Sequence, residues 1–155
     1  MTRIRPNQKQ NLIKLANGLI NDHNRKTRFN MGTYAEMSDD WDIYGMKRTE
    51  CGAVGCAVGH APFYGIKKEL GESWTDYSNR TLIQHYNCDD AEWRWCFTGS
   101  WKDTDNTKIG AAQRIIWLLQ YGLPDDWGAQ LRGDAALCYT GVTGFCEKWL
   151  SGNIN

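Results

Sequence analysis

Two thiols and an imidazole lie close together in the segment ECGAVGCAVGH, and residues of these types can bind a metal. Structural zinc sites usually combine two closely spaced pairs of cysteine or histidine ligands. Here Cys51, Cys56 and His60 have the spacing C-x4-C-x3-H, and a further H-x2-C follows at His85 and Cys88. On a helix, residues four apart share a face, whereas residues five apart do not. The spacing therefore does not predict a metal site, and it leaves open whether the five residues converge in the fold.

The same segment contains a candidate nucleophile, Cys51. A thiol at the amino terminus of a helix is stabilised as a thiolate by free amides and the helix dipole. It would still need a base, and His60 lies two turns further along the expected helix, too far for a direct hydrogen bond. His23 or His85 can reach Cys51 only through the fold. A cysteine-dependent hydrolase or transferase centred on Cys51 is thus one alternative, and no residue is assigned as catalytic.

The small residues of ECGAVGCAVGH favour a structural interpretation. Gly55 and Gly59 are four apart, a spacing that lets another backbone or a large ring approach a helix closely. Each glycine destabilises a helix by ~1 kcal/mol relative to alanine, so close packing has to compensate. We therefore predict a narrow, buried packing helix in which Cys56 behaves as a small hydrophobic residue.

A candidate ligand site lies at the start of the helix predicted in DNTKIGAAQRIIWLLQYGLP. Helix amino termini present free amides to anions, and a tryptophan face beside lysines can hold a nucleotide by stacking and charge. The alternative is plain capping, because Asp103 and Asp105 would repel a phosphate. The predicted ligand-binding residues are Arg48, Trp101, Lys102, Asn106, Thr107 and Lys108.

Tryptophan is in excess, with eight in 155 residues. Such rings form either a bulky core or the lining of a cleft for a flat ligand. The eighteen basic and eighteen acidic residues balance, which disfavours a duplex nucleic-acid partner. Residues 1–28 nevertheless hold seven basic residues against one acidic, whereas residues 36–50 hold five acidic against two basic.

The hydrophobic pattern predicts a mainly α fold, a compact single domain over residues 1–155 with about five to seven short helices and long loops. Helices are expected from Pro6 to about Asn24, after Ser73, after Asp89 or Asp90, after Asn106 or Thr107, and in two shorter segments near the carboxyl end. The long central helix should bury Ile109, Ala112, Ile115, Ile116 and Leu119. A polar loop is expected over residues 25–50, and ALCYTGV is the only plausible strand. No segment is apolar enough to span a membrane, so a cytoplasmic protein without a membrane partner is expected.

Several segments together resemble a group of small bacteriophage and bacterial proteins. They are CGAVGCAVGHAP, a W-x2-Y-x2-R segment from Trp74, the W-x-F elements around Trp93 to Trp101, and DNTKIGAAQRI. The group shares a C-G-T-x-x-C-x-x-G-H segment and a D-N-T-P-x-G-A-A-x-R-I helix start. This chain departs from it at Ala53 and Lys108, where the group has threonine and proline. The resemblance implies a phage or mobile-element accessory protein acting in the host cytoplasm, and it carries over no catalytic residue.

Together these features predict a non-enzymatic binding protein, without metal or cofactor. The first hypothesis is a counter-defence protein that sequesters a small nucleotide-like signalling ligand. The second is an inhibitor or adaptor of a host protein that uses the 25–50 loop. A homo-oligomer is left open.

Overall fold

The computed structural model describes residues 4–22, 28–29, 31, 54–85 and 90–152, and these are mainly helical, as predicted. Seven α-helices lie within these ranges: α1 (Pro6–Asn21), α2 (Ala57–His60), α3 (Trp74–Thr81), α4 (Ala91–Phe97), α5 (Lys108–Tyr121), α6 (Trp127–Arg132) and α7 (Phe145–Leu150). Short 3₁₀ helices cover Ala61–Tyr64, Gly99–Asp103 and Cys138–Gly141. None of the helices in the described ranges is long and apolar enough to cross a membrane.

Several helix boundaries follow from local chemistry that the sequence makes visible. Helix α1 begins at Pro6, whose fixed φ suits the first turn. Helix α3 begins after Ser73, whose hydroxyl accepts a hydrogen bond from the backbone N–H of Asp76 at 3.0 Å. Thr107 caps α5 in the same way, and α5 ends at Gly122, which has φ +80°. These predicted boundaries are confirmed, although α1 ends at Asn21 and not at Asn24.

Residues 54–60, the described part of ECGAVGCAVGH, do not form one continuous packing helix of the narrow, buried kind that we predicted. Val54–Gly55 is a two-residue strand, β2, paired in parallel with β1 (Arg28–Phe29). Cys56 has extended backbone angles and precedes α2. Gly55 and Gly59 are therefore not on one helix face. The packing role itself holds, because all four residues of α2 are buried and the helix contacts α1.

Two smaller expectations are also wrong. The segment ALCYTGV forms the 3₁₀ helix Cys138–Gly141 and not a strand. Ile109 is 42% exposed, whereas Ala112, Ile115 and Ile116 are fully buried. Ile109 lies in the first turn of α5, at the edge of the core.

The centre of the core is the contact between α1 and α5, the most extensive contact between any two described elements. Leu12, Leu15 and Leu19 of α1 are buried with Ile115 and Ile116 of α5. Burial of each such side chain contributes ~1.5–3 kcal/mol. This helix pair fixes the start of α5, where most of the predicted ligand-binding residues lie.

Candidate functional site

The start of α5 is built around an ion pair between the partly buried Asp105 and the fully buried Arg114. The Arg114 side chain is fully buried, and its Nη1 lies 3.2 Å from Asp105 Oδ2. Arg114 also donates to the carbonyl oxygen of Asp105 at 3.3 Å. Tyr139 joins the pair, because its hydroxyl donates to Asp105 Oδ2 at 2.7 Å and accepts from Arg114 Nη1 at 2.8 Å. Burial raises the pKa of Tyr139, which keeps this hydroxyl protonated as a donor.

Two tryptophans contact Arg114. The Arg114 guanidinium lies 4.1 Å from the centre of the Trp101 ring, which is fully buried. The indole N–H of Trp101 donates to the Trp95 carbonyl at 2.7 Å, and that of Trp95 donates to the Arg114 carbonyl at 2.9 Å. Trp101 is thus a core residue with Arg114 stacked on it. A nucleotide base would have to displace Arg114 to reach this ring.

The carboxylate of Asp105 lies directly against the first turn of α5. A Cβ added at Gly110 would sit 2.0 Å from Asp105 Oδ2, so only glycine leaves room for it. The hydroxyl of Thr107 donates to Asp105 Oδ1 at 2.7 Å while it accepts from the Gly110 N–H. A negative charge here is stabilised by the helix dipole. The protein's own carboxylate therefore lies where a bound anion would meet the helix.

The remaining predicted ligand residues are only partly brought together. Asn106 and Thr107 are exposed at the start of α5, and Lys102 is exposed in the preceding 3₁₀ helix Gly99–Asp103. The Asn106 side-chain oxygen accepts from the backbone N–H of Met31 at 2.7 Å. Arg48 lies outside the described residues.

Lys108 belongs to a second polar cluster, which joins the end of α1 to the start of α5. Its ammonium donates to the Asp22 carbonyl at 3.2 Å and lies 3.9 Å from Asp22 Oδ2. The hydroxyl of Tyr64 donates to the same carboxylate oxygen at 2.6 Å. The charge of Lys108 is thus balanced by a carboxylate of the protein, which weakens its attraction for an external anion.

Cys56 and His60 form a buried pair through the backbone. The Nδ1 of His60 lies 2.9 Å from the carbonyl oxygen of Cys56, and its ring lies between Phe29 and Phe63, at centroid distances of 5.4 and 5.9 Å. Burial raises the pKa of the Cys56 thiol to about 11. His85 instead stacks on Trp93.

The other residues of the suspected cysteine–histidine site, Cys51 and Cys88, lie outside the described part of the chain. Among the residues that are described, no three histidine, cysteine, aspartate or glutamate side chains come together as a metal site.

We expect Cys56 to resist alkylation in the folded protein. With a pKa of about 11, only about one thiol in a thousand is ionised at pH 8, and the thiolate is the reactive form. Iodoacetamide labelling followed by peptide mass spectrometry should show Cys56 protected natively and labelled in 8 M urea, a condition that serves as the control. If Cys56 of the folded protein were labelled as fast as free cysteine, it would not be the buried, protonated thiol that we describe.

An aromatic surface lies at the other end of α5, where this helix meets α7. The ring centroids of Trp117 and Tyr121 are 4.6 Å apart, and those of Trp117 and Phe145 are 5.9 Å apart. Trp149 follows Phe145 by one helical turn and donates from its indole N–H to Asn17 Oδ1 at 2.7 Å. Tyr121 is 55% exposed. We call Trp117 and Tyr121 the α5–α7 aromatic face.

The predicted ligand-binding residues do not include this face. Its signal was the i, i+4 spacing of Trp117 and Tyr121, which lie off the buried stripe of the predicted helix. Among the seven described tryptophans, Trp93, Trp95 and Trp101 are buried, and the other four are half-buried against the core. The described tryptophans therefore do not all have the same role: three are core residues, and four are partly accessible. Trp41 lies outside the described residues.

Comparison of the chain with protein-family models, with curated proteins and with solved structures finds no match.

Proposed function

We propose that this protein is a non-enzymatic accessory protein that binds another protein through the α5–α7 aromatic face. The observation that carries the proposal is a surface tyrosine, more than half exposed, packed against a half-buried tryptophan. Tryptophan and tyrosine are enriched among the residues that dominate the binding energy of protein interfaces. Both rings have few rotatable bonds, so little entropy is lost when a partner orders them.

The anchoring of this face to the core supports the proposal. Trp117 contacts Phe145, which is buried, and Trp149 is hydrogen-bonded to α1. Helix α7, which Trp117 contacts, is thus itself tied to α1. A surface that is already ordered avoids part of the entropic cost of association.

The resemblance to small bacteriophage and bacterial proteins suggests the kind of partner. An accessory protein of a phage or mobile element acts on its host, so we propose a host protein as the target. The partner would then be a cytoplasmic bacterial protein.

The test is affinity capture from a bacterial lysate, with identification of the partner and measurement of its affinity by titration. Changing Tyr121→Ser should weaken binding by about 30-fold or more, since an interface hot spot contributes ~2 kcal/mol or more. Leu70→Ser is the matched control, because Leu70 is an exposed apolar side chain on a turn outside the α5–α7 aromatic face. Equal binding by wild type and the Tyr121 variant, or equal loss in both variants, would overturn the proposal.

A nucleotide-like ligand at the start of α5 is the second candidate. It is favoured by the exposure of Asn106 and Thr107 beside the first turn of a 14-residue helix, and of Lys102 in the 3₁₀ helix that precedes it. The buried position of Trp101 and the carboxylate of Asp105 count against it. In this candidate the Lys102 ammonium and the Asn106 side-chain amide hold phosphate without base stacking, because the Thr107 hydroxyl already donates to Asp105.

Equilibrium dialysis with a panel of cyclic nucleotides tests the nucleotide candidate independently of the protein partner. Binding that Lys102→Glu weakens at least tenfold, while Lys148→Glu leaves it unchanged, would support it; both lysines are exposed, but Lys148 lies on α7. No binding at millimolar ligand would remove it and leave the protein-partner proposal intact.

A further inference from the structure

We draw no further inference here: the strongest candidate, the exposed Leu70 at the tip of the turn between Glu69 and Glu72, is one apolar side chain, and nothing in the structure shows what covers it.

Discussion

Replacing Arg114 with methionine should destabilise the protein by about 3 kcal/mol, the lower end of the range for removing one partner of a buried ion pair, because the Asp105 side chain is 15% exposed. Methionine is similar in length and apolar, so the change removes the charge without leaving a large cavity. It leaves the Asp105 carboxylate and the Tyr139 hydroxyl without their shared donor. Since a domain of this size is stable by only ~5–15 kcal/mol, urea denaturation followed by circular dichroism should show a large shift of the midpoint.

The matched control for this experiment is Arg132→Met. Arg132 also pairs with an aspartate, Asp134, at the same distance of 3.2 Å, but both of these side chains are about two-thirds exposed. Surface pairs of this kind contribute ~0–1 kcal/mol, so the control should unfold almost like wild type. An equal loss of stability in the two variants would show that the Asp105–Arg114 ion pair contributes no more to stability than an exposed pair.

Replacing Gly110 with alanine should also destabilise the protein, by about 2–3 kcal/mol. Alanine normally favours a helix over glycine by up to ~1 kcal/mol. Here the added methyl group would overlap the Asp105 carboxylate, which lies 2.0 Å from its position. Inserting a methyl group into a packed site costs ~1–3 kcal/mol. Moving the carboxylate also weakens hydrogen bonds to a charged group, each of which contributes ~1.5–3 kcal/mol.

Gly128→Ala provides the opposite expectation in a comparable position. Gly128 also lies in the first turn of its helix, α6, and its nearest contact is the end of the Arg132 side chain at 3.2 Å. That side chain is exposed and can move, so this variant should be neutral or stabilised by up to ~1 kcal/mol. The free energies of unfolding of the two alanine variants, measured by thermal and urea denaturation, should therefore differ by at least ~2 kcal/mol. The Gly110 variant should be the less stable of the two. Similar stabilities for both would show that Asp105 does not pack against Gly110.

These two predictions give a structural meaning to the segment DNTKIGAAQR. Asp105 and Arg114 form the ion pair, Thr107 caps the helix, and Gly110 provides space for the carboxylate. Asp105 precedes α5 and Arg114 lies in its second turn, so the spacing of nine residues lets the two side chains pair across the start of the helix. Each of these four residues has a structural role that needs no ligand.

The sequence by itself determined the features that depend on near neighbours. The apolar period of α1 and α5, the caps at Ser73 and Thr107 and the ending at Gly122 were all predictable, because each involves residues within about four positions. The mainly α fold followed from these local patterns. The excess of tryptophan did not reveal which rings are buried, because burial depends on contacts with residues far away in the chain.

Tertiary structure decided the features that depend on residues far apart in the chain. The Tyr139 hydroxyl donates to Asp105, 34 positions earlier in the chain. Arg114, which also pairs with Asp105, stacks on Trp101. Trp101, predicted as a ligand-binding ring, is therefore a buried core residue. Pairing of Val54–Gly55 with a strand 26 residues earlier replaced the first part of a predicted helix. The physical reason is that long-range hydrogen bonds and burial compete with local propensity, and a single sequence does not state which distant partners will meet.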